Sequence, residues 1–295
     1  MGVFNNFLNQ IDFLKVNILD GKPAFKKPLL LLLLISRLEQ GILNQNKILF
    51  QDIEEELSDL IVNFGGRNYK SGPKPNQPFQ YLNSSEFWNL HLANGEPVSS
   101  QYDLPLKLLC DKNSFATLDG DVYKLLQSSA ASRAKVAHFI LEKWWTDTIQ
   151  QELVEVLKIP MLSVSTPQKP RNRDFTEHVL ANYRYKCAIC GFQASFNKTN
   201  FGIDGAHIKW FSQDGPDTLD NGLALCKIHH WAFDKGVISI NSSDYKLQVS
   251  SRFVGRDQNS IDIIEKMNGR DLLPYKEVAP SNDFIEWHSK YIFLG

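Results

Sequence analysis

The sequence predicts an α+β chain of two domains, a mixed helical, winged-helix-like domain followed by a zinc-containing domain of short strands and helices. Three observations carry this. The first half alternates amphipathic stretches with two short β-prone pieces. The segment SVSTPQKPRNRD, Ser163 to Asp174, has two prolines, Pro167 and Pro170, and no apolar periodicity, as an interdomain linker reads. Beyond it, three of the chain's four cysteines stand in metal-ligand spacing. The expected boundaries are 1–160, a linker at 161–174, and 175–295. With 295 residues, each domain is long enough to bury a core of its own.

In chain order, Asn5 to Leu19 reads as a first helix. Pro28 then stands in the first turn of LLLLLLISRLEQ, where its missing N–H costs nothing, and Gly41 closes that helix. QDIEEELSDLIVNF is amphipathic at helical spacing and stops at Gly65-Gly66. A Pro/Gly-rich loop, YKSGPKPNQ, leads to PFQYL and FWNLHL, both read as short strands. Val136, Phe139, Ile140, Trp144, Ile149, Leu153 and Val156 share one broad face, which predicts one long helix or two broken near Asp147. After the linker come a helix (FTEHVLANY), a knuckle (CAIC), strands and a loop through GIDGAHIKW, and a polar loop (FSQDGPDTLDNG). A helix starts near LCKIHHWAF, GVISI and YKLQVS flank the turn NSSD, and a short helix ends the tail.

Cys187 and Cys190 form CxxC, and Cys226 and His229 form CxxH. Two such pairs supply the four ligands of a closed, tetrahedral, structural Zn²⁺, and no thioredoxin-like βαβ pattern surrounds the CxxC to favour a redox pair. Cys110 stands alone and reads as a small buried apolar residue.

The net charge of −1 gives no global positive field, so a nucleic-acid partner would be held by local patches. The most hydrophobic run, Leu29 to Ile35, falls far short of the roughly 20 residues of a membrane helix. The opening MGVFNNFLNQIDFLKV lacks a basic n-region and cleavage site, so a cytoplasmic chain with no membrane partner is expected.

Between the zinc pairs, IDGAHIKWFSQDGPDTLDNGLALCKIHHWAFDKG holds His207, Asn221 and His230 in that order. In its AHI strand, NGLALC helix entry and HHxxFDKG helix, this stretch resembles the HNH, or ββα-metal, nucleases, and the resemblance extends from about Phe175 to the tail. Hydrolysis of a phosphodiester needs an activated water and a cation to offset developing charge. An imidazole at the end of a strand, His207, suits the general base. His230 and Asp234, four apart on a helix, share a face and can hold one divalent ion, Mg²⁺ or Mn²⁺. The residue before the base, often a further ligand in this family, is Ala206 here, which leaves Asp204 as a substitute. Asn221 matches the middle residue of the motif, and its implied role is to brace the loop and orient His207. The plainer readings are a core imidazole at His207, a zinc-associated His230 and a solvated Asp234.

Basic residues interleaved with aromatics mark two segments of the first half. GKPAFKKP carries Lys26 and Lys27 at a helix entry, and GGRNYKSGPKPNQPFQY carries Arg67, Lys70 and Lys74 with Pro78, Phe79 and Tyr81. The plainer reading is a solvated loop. KKPLLLLLLISRLEQG, PNQPFQYLNSSEFWNL and the terminal WHSKYIF are similar to segments of McrA-type modification-dependent restriction endonucleases with an N-terminal sulfur-binding domain. That resemblance implies a DNA-recognition domain at 1–160, binding to double-stranded phosphorothioate DNA, and cleavage nearby. Sulfur is larger and less well hydrated than oxygen, so Pro78, Phe79 and Tyr81 near Arg67 and Lys74 are candidates for an apolar pocket. The alternatives are an HNH restriction enzyme reading an unmodified sequence or a modified base, and a non-catalytic DNA-binding protein. One site cuts one strand, so a homodimer or sequential nicking is implied.

Overall fold

A computed structural model of the chain describes residues 2–19, 22–66, 72–98, 114–159 and 173–295. Arg67, Lys70, Cys110 and residues 161–172 of the expected linker lie outside the described residues. The chain forms two compact units: Met1–Trp144 with Gln151–Val164, and Trp145–Gln150 with Ser165–Gly295. No helix among the described residues is long and apolar enough to cross a membrane.

In the first unit the opening helix, α1, covers Val3–Asp12 and stops earlier than its expected end at Leu19. Asn17–Leu19 (β1) instead pairs antiparallel with Lys22–Ala24 (β2). Pro23 disfavours a helix interior, and the backbone groups around it are satisfied across the hairpin. Helix α2, Lys26–Glu39, has Pro28 in its first turn and buries every residue from Leu29 to Ile35, which explains a run apolar on all sides. Helix α3, Phe50–Phe64, buries Ile53, Leu57, Leu60, Ile61 and Phe64 along one face. PFQYL is not a strand. It belongs to helix α4, Asn76–Tyr81, whose first turn accepts Pro78 because that position has no intrahelical N–H partner to lose.

Ile48–Leu49 (β3), Trp88–His91 (β4) and Phe115–Leu118 (β5) form an antiparallel sheet in the order β3-β5-β4. Phe79 fills the core beside it, its ring 5.3 Å from those of Phe50 and Trp88. Helix α5, Gly120–Ser128, is capped by the Asp119 carboxylate, which accepts from Asp121 N and Val122 N. The long apolar run breaks between α6, Ala130–Trp144, and α7, Asp147–Leu157, close to the expected Asp147.

In the second unit, helix α8 (Arg173–Asn182) lies across a two-stranded sheet of β8, Ile203–His207, and β9, Gly222–Cys226. The register places Ile203 opposite Cys226 and His207 opposite Gly222. Two glycines permit the close approach. A Cβ on Gly222 would sit 2.2 Å from Val179 Cγ2, and one on Gly205 2.9 Å from Thr176 Cα. Helix α9, Lys227–Asp234, follows β9 directly. Between the knuckle and β8 lies a small hairpin, β6 (Ser195–Phe196) with β7 (Thr199–Asn200). Ile238–Ile240 (β10) and Leu247–Val249 (β11) form the hairpin expected around NSSD. A helix not foreseen, α10 at Gln258–Ile263, opens on an Asp257/Ser260 capping box, and α11, Asn282–Tyr291, closes the unit. The core joins Phe175, Val179 and Leu180 to Leu223, Leu225, Phe233 and Ile285.

Candidate active site

The knuckle delivers Cys187 and Cys190, the end of β9 delivers Cys226, and the first turn of α9 delivers His229. Their ligand atoms all lie within 4.8 Å of one another. Cys190 Sγ is 3.9 Å from Cys226 Sγ, and His229 Nδ1 lies 3.1 Å from Cys226 Sγ and 3.6 Å from Cys187 Sγ. Ligands on a tetrahedron with zinc–sulfur bonds of about 2.3 Å are about 3.8 Å apart, so the set fits that ion. His229 Nε2 donates to Ile263 O at 2.9 Å, which fixes the ring and leaves Nδ1 as the ligand atom. Hydrogen bonding to Cys190, then Cys226, pulls the Cys187 thiol far below its ordinary range, towards the thiolate that metal binding requires.

His207 ends β8. Phe175 of α8 stacks on its ring, centroids 4.1 Å apart and planes 15° from parallel, and Nε2 meets Asp217 Oδ1 at 2.7 Å. Burial lowers the His207 pKa, opposed by Asp217, and the charges of Asp234 and His230 lie close enough to act on it. Asn221 is fully buried. Its Oδ1 accepts from Lys209 N at 2.8 Å, while Nδ2 donates to Lys209 O and Pro216 O at 3.1 and 2.9 Å. The amide therefore closes the loop that follows β8 and makes no hydrogen bond to His207 itself.

His230 lies between two carboxylates: Nδ1 is 3.1 Å from Asp204 Oδ2, and Nε2 is 3.4 Å from Asp234 Oδ2. The two acids differ in access, the Asp204 side chain being 24% exposed and that of Asp234 1%. Burial alone would raise the Asp204 pKa, but His230 and Lys227, whose Nζ is 2.6 Å away, outweigh it and hold it at about 2. Burial pushes Asp234 up, against donors that include Thr146 Oγ1 at 2.8 Å and Thr148. For His230, burial favours the neutral ring, yet Asp234 and then Asp204 prevail and raise its pKa. Asp217, Thr146 and Lys227 carry no sequence signal that marks them as neighbours of these residues.

The DNA-contact candidates of the first unit scatter. Lys26 is buried and its Nζ donates to Gln77 Oε1 at 2.7 Å, while Lys27 is half-buried, with its pKa lowered by burial and by Lys15. Lys74 is exposed at a positive φ of 50°, and Tyr81 is 46% exposed. Pro78 and Phe79 are buried, so the apolar pocket expected to include them does not stand open there: the Phe79 ring packs against Phe50 and Trp88.

The stretch that carries the Cys3His cluster, the strand-borne His207 and the helix-borne His230 is that of a DNA-cleaving nuclease. Residues 187–241 match the HNH endonuclease family. Residues 4–160, more than half of the chain, match the ScoMcrA-like DNA sulfur-binding domain, and the chain belongs to that family. The sulfur-binding match favours recognition of modified DNA over the unmodified-sequence and modified-base alternatives. HNH nucleases use a divalent metal, and the Cys3His cluster is compatible with zinc.

Among solved structures, the sulfur-binding domain of SprMcrA complexed with phosphorothioated DNA is 22% identical. That match covers 54% of this chain and 95% of that one, with a TM-score of 0.45. The sulfur-binding domain of ScoMcrA complexed with phosphorothioated DNA is 20% identical over 51% and 98%, with a TM-score of 0.41. The modification-dependent TagI restriction endonuclease is 23% identical over 42% and 39%, with a TM-score of 0.33. A comparison with curated proteins gives no match.

Proposed function

We propose that the chain is a restriction endonuclease that binds phosphorothioate-modified duplex DNA through its first half and hydrolyses a nearby phosphodiester with the His207 site. The observation that carries this is the union, in one chain, of a DNA sulfur-binding domain with an HNH endonuclease domain in which His230 meets both Asp204 and Asp234. His207, kept neutral by burial, takes the proton of a water as that water's oxygen attacks phosphorus. The bond from phosphorus to the 3′ oxygen breaks, leaving a 5′-phosphate and a 3′-hydroxyl once that oxygen gains a proton.

His230 can give an ion only one ring nitrogen. Asp204 and His230 Nδ1, both partly exposed, are the pair to hold it, with Asp234 orienting the ring from behind through Nε2. When bound, Mg²⁺ or Mn²⁺ supplies positive charge for the scissile phosphate and the departing oxygen. Asn221 keeps the loop closed, and the zinc tetrad, Cys187, Cys190, Cys226 and His229, fixes the start of α9. Lys27, Lys74 and Tyr81 are the described candidates left at the surface of the first unit for DNA, with Arg67 and Lys70 in the adjoining segment. Residues 1–160 act as the recognition domain and 175–295 as the nuclease. The protein works in the cytoplasm, and double-strand targets are cut either by a homodimer or by sequential nicking.

The test is digestion of matched phosphorothioated, methylated and plain plasmids with Mg²⁺ or Mn²⁺. Cleavage confined to the phosphorothioated plasmid, and lost in His207→Ala without loss of binding, is expected. Equal cutting of all three plasmids rejects the specificity, and wild-type cutting by His207→Ala rejects the mechanism.

A further inference from the structure

The His207 ring is held at two places, by the Phe175 face and at Nε2, and the second of these is made by a loop that closes in a specific way. After β8 the chain runs through Lys209 and Trp210 to Gly215, whose N–H donates to Trp210 O at 3.0 Å. A Cβ on Gly215 would lie 1.9 Å from Lys209 O, so no other residue fits where the loop folds back on itself. The Asn221 amide then staples Lys209 and Pro216 together, and Ile208 N donates to Asn221 O at 2.9 Å. The next residue after Pro216 is Asp217. Its carboxylate oxygen meets His207 Nε2 at 2.7 Å, and neither side chain is deeply buried.

A carboxylate oxygen accepts, so the ring hydrogen is on Nε2 and the lone pair is on Nδ1. Three aspartates, Asp214, Asp217 and Asp220, share this loop. Only the one placed directly after the stapled Pro216 reaches His207 among the described contacts. Asn221, whose amide is spent on three backbone partners, acts on the base through Asp217.

We infer that Asp217 is a positioning residue for the nuclease: it holds the Nε2–H tautomer of His207 and aims Nδ1 at the attacking water. This rests on the reading of His207 as the base. It resembles a base oriented by a carboxylate on its far nitrogen, where loss of the orienting group lets the ring rotate and populate the wrong tautomer.

The experiment uses the full chain, zinc-loaded and labelled with ¹⁵N at histidine. Long-range ¹H–¹⁵N correlation at pH 8 is recorded for wild type, His207→Gln (to assign the signal) and Asp217→Ala. Wild-type His207 should show protonated Nε2 and bare Nδ1, and Asp217→Ala should show both tautomers. In single-turnover cleavage of phosphorothioated duplex, Asp217→Ala should fall by about 10- to 100-fold with unchanged DNA affinity. The double variant with His207→Ala should lose nothing beyond His207→Ala alone.

A wild-type spectrum with hydrogen on Nδ1 overturns the inference without reference to any variant. So does an Asp217→Ala enzyme with wild-type tautomer and wild-type rate while His207→Ala is inactive. Wild-type cleavage by His207→Ala is a different failure, since it removes the base itself and is read independently of the Asp217 spectrum.

Discussion

His288 lies in α11 and packs against α9, fully buried, its ring stacked on Phe233 with centroids 3.6 Å apart. Nε2 must donate to the Phe233 carbonyl, 3.0 Å away, so Nδ1 accepts from Ser239 Oγ at 2.9 Å. Both ring nitrogens are used by the neutral form, and burial pushes the pKa down to about 3 from an ordinary 6.5. In the unfolded chain the imidazole takes up a proton near pH 6.5, and in the folded chain it does so only near pH 3. Between those values the unfolded state binds more protons, so stability is full above 6.5 and is lost as the pH falls. The slope approaches about 1.4 kcal/mol per pH unit, and the loss reaches about 2.7 kcal/mol at pH 4.5 relative to alkaline pH.

His288→Gln removes the titration but keeps one donor for Phe233 O and one acceptor for Ser239. It forfeits the ring stacking, about 1 kcal/mol at every pH. Urea denaturation of both proteins at several pH values, with hydrogen-exchange mass spectrometry of β9 and α9 peptides isolating the second unit, gives the difference between them. Other titrating groups cancel in that difference. The variant should be the less stable at pH 7.5 and the more stable at pH 4.5. A difference that stays flat across the range would falsify the assignment of His288 as a buried neutral imidazole.

Cys187→Ser should yield protein with less than one zinc per chain by elemental analysis, and with hydrogen-exchange protection lost in the second unit, because the tetrad holds the knuckle to α9. Thr146→Val with Thr148→Val removes both hydroxyl donors to Asp234 and should slow single-turnover cleavage by about 10- to 100-fold with little change in DNA affinity; an unchanged rate would exclude Asp234 as the orienting group. Gly222→Ala would press a methyl into Val179, costing about 1–3 kcal/mol in urea melts, and Val179→Ala in the same chain should recover part of that loss.

The parts of the site visible in the sequence are those written at short range in scarce residue types. CxxC, CxxH and the turn of helix linking His230 to Asp234 each fix a local geometry, whereas NGLALC, expected as a helix entry, is a strand buried on both faces that runs into the helix. Phe79 shows where this fails. An aromatic beside a Pro/Gly-rich loop suggested a binding pocket, yet six residues of helix rotate it inward against Phe50 and Trp88, and only tertiary packing decides that rotation. The hairpin at residues 17–24 was missed for the same reason: the apolar spacing of α1 continues past the point where pairing with Pro23 and Ala24 takes over.

The long-range members were illegible for a geometric reason. Thr146 is separated from Asp234 by 88 positions, and no local pattern links them. Asp217 is one of three acids in a polar loop, and which one faces the base depends on the Gly215 fold-back and the Asn221 staple, both properties of the closed loop. Spacing alone likewise could not rank the two acids around His230. Helical periodicity puts Asp234 on the same face as His230, but that face is turned into the protein, and the exposed partner comes from a strand 26 residues earlier. An ion that must meet a phosphate needs the open side of the imidazole, so in the proposed mechanism access favours Asp204 as the ligand and Asp234 as its support.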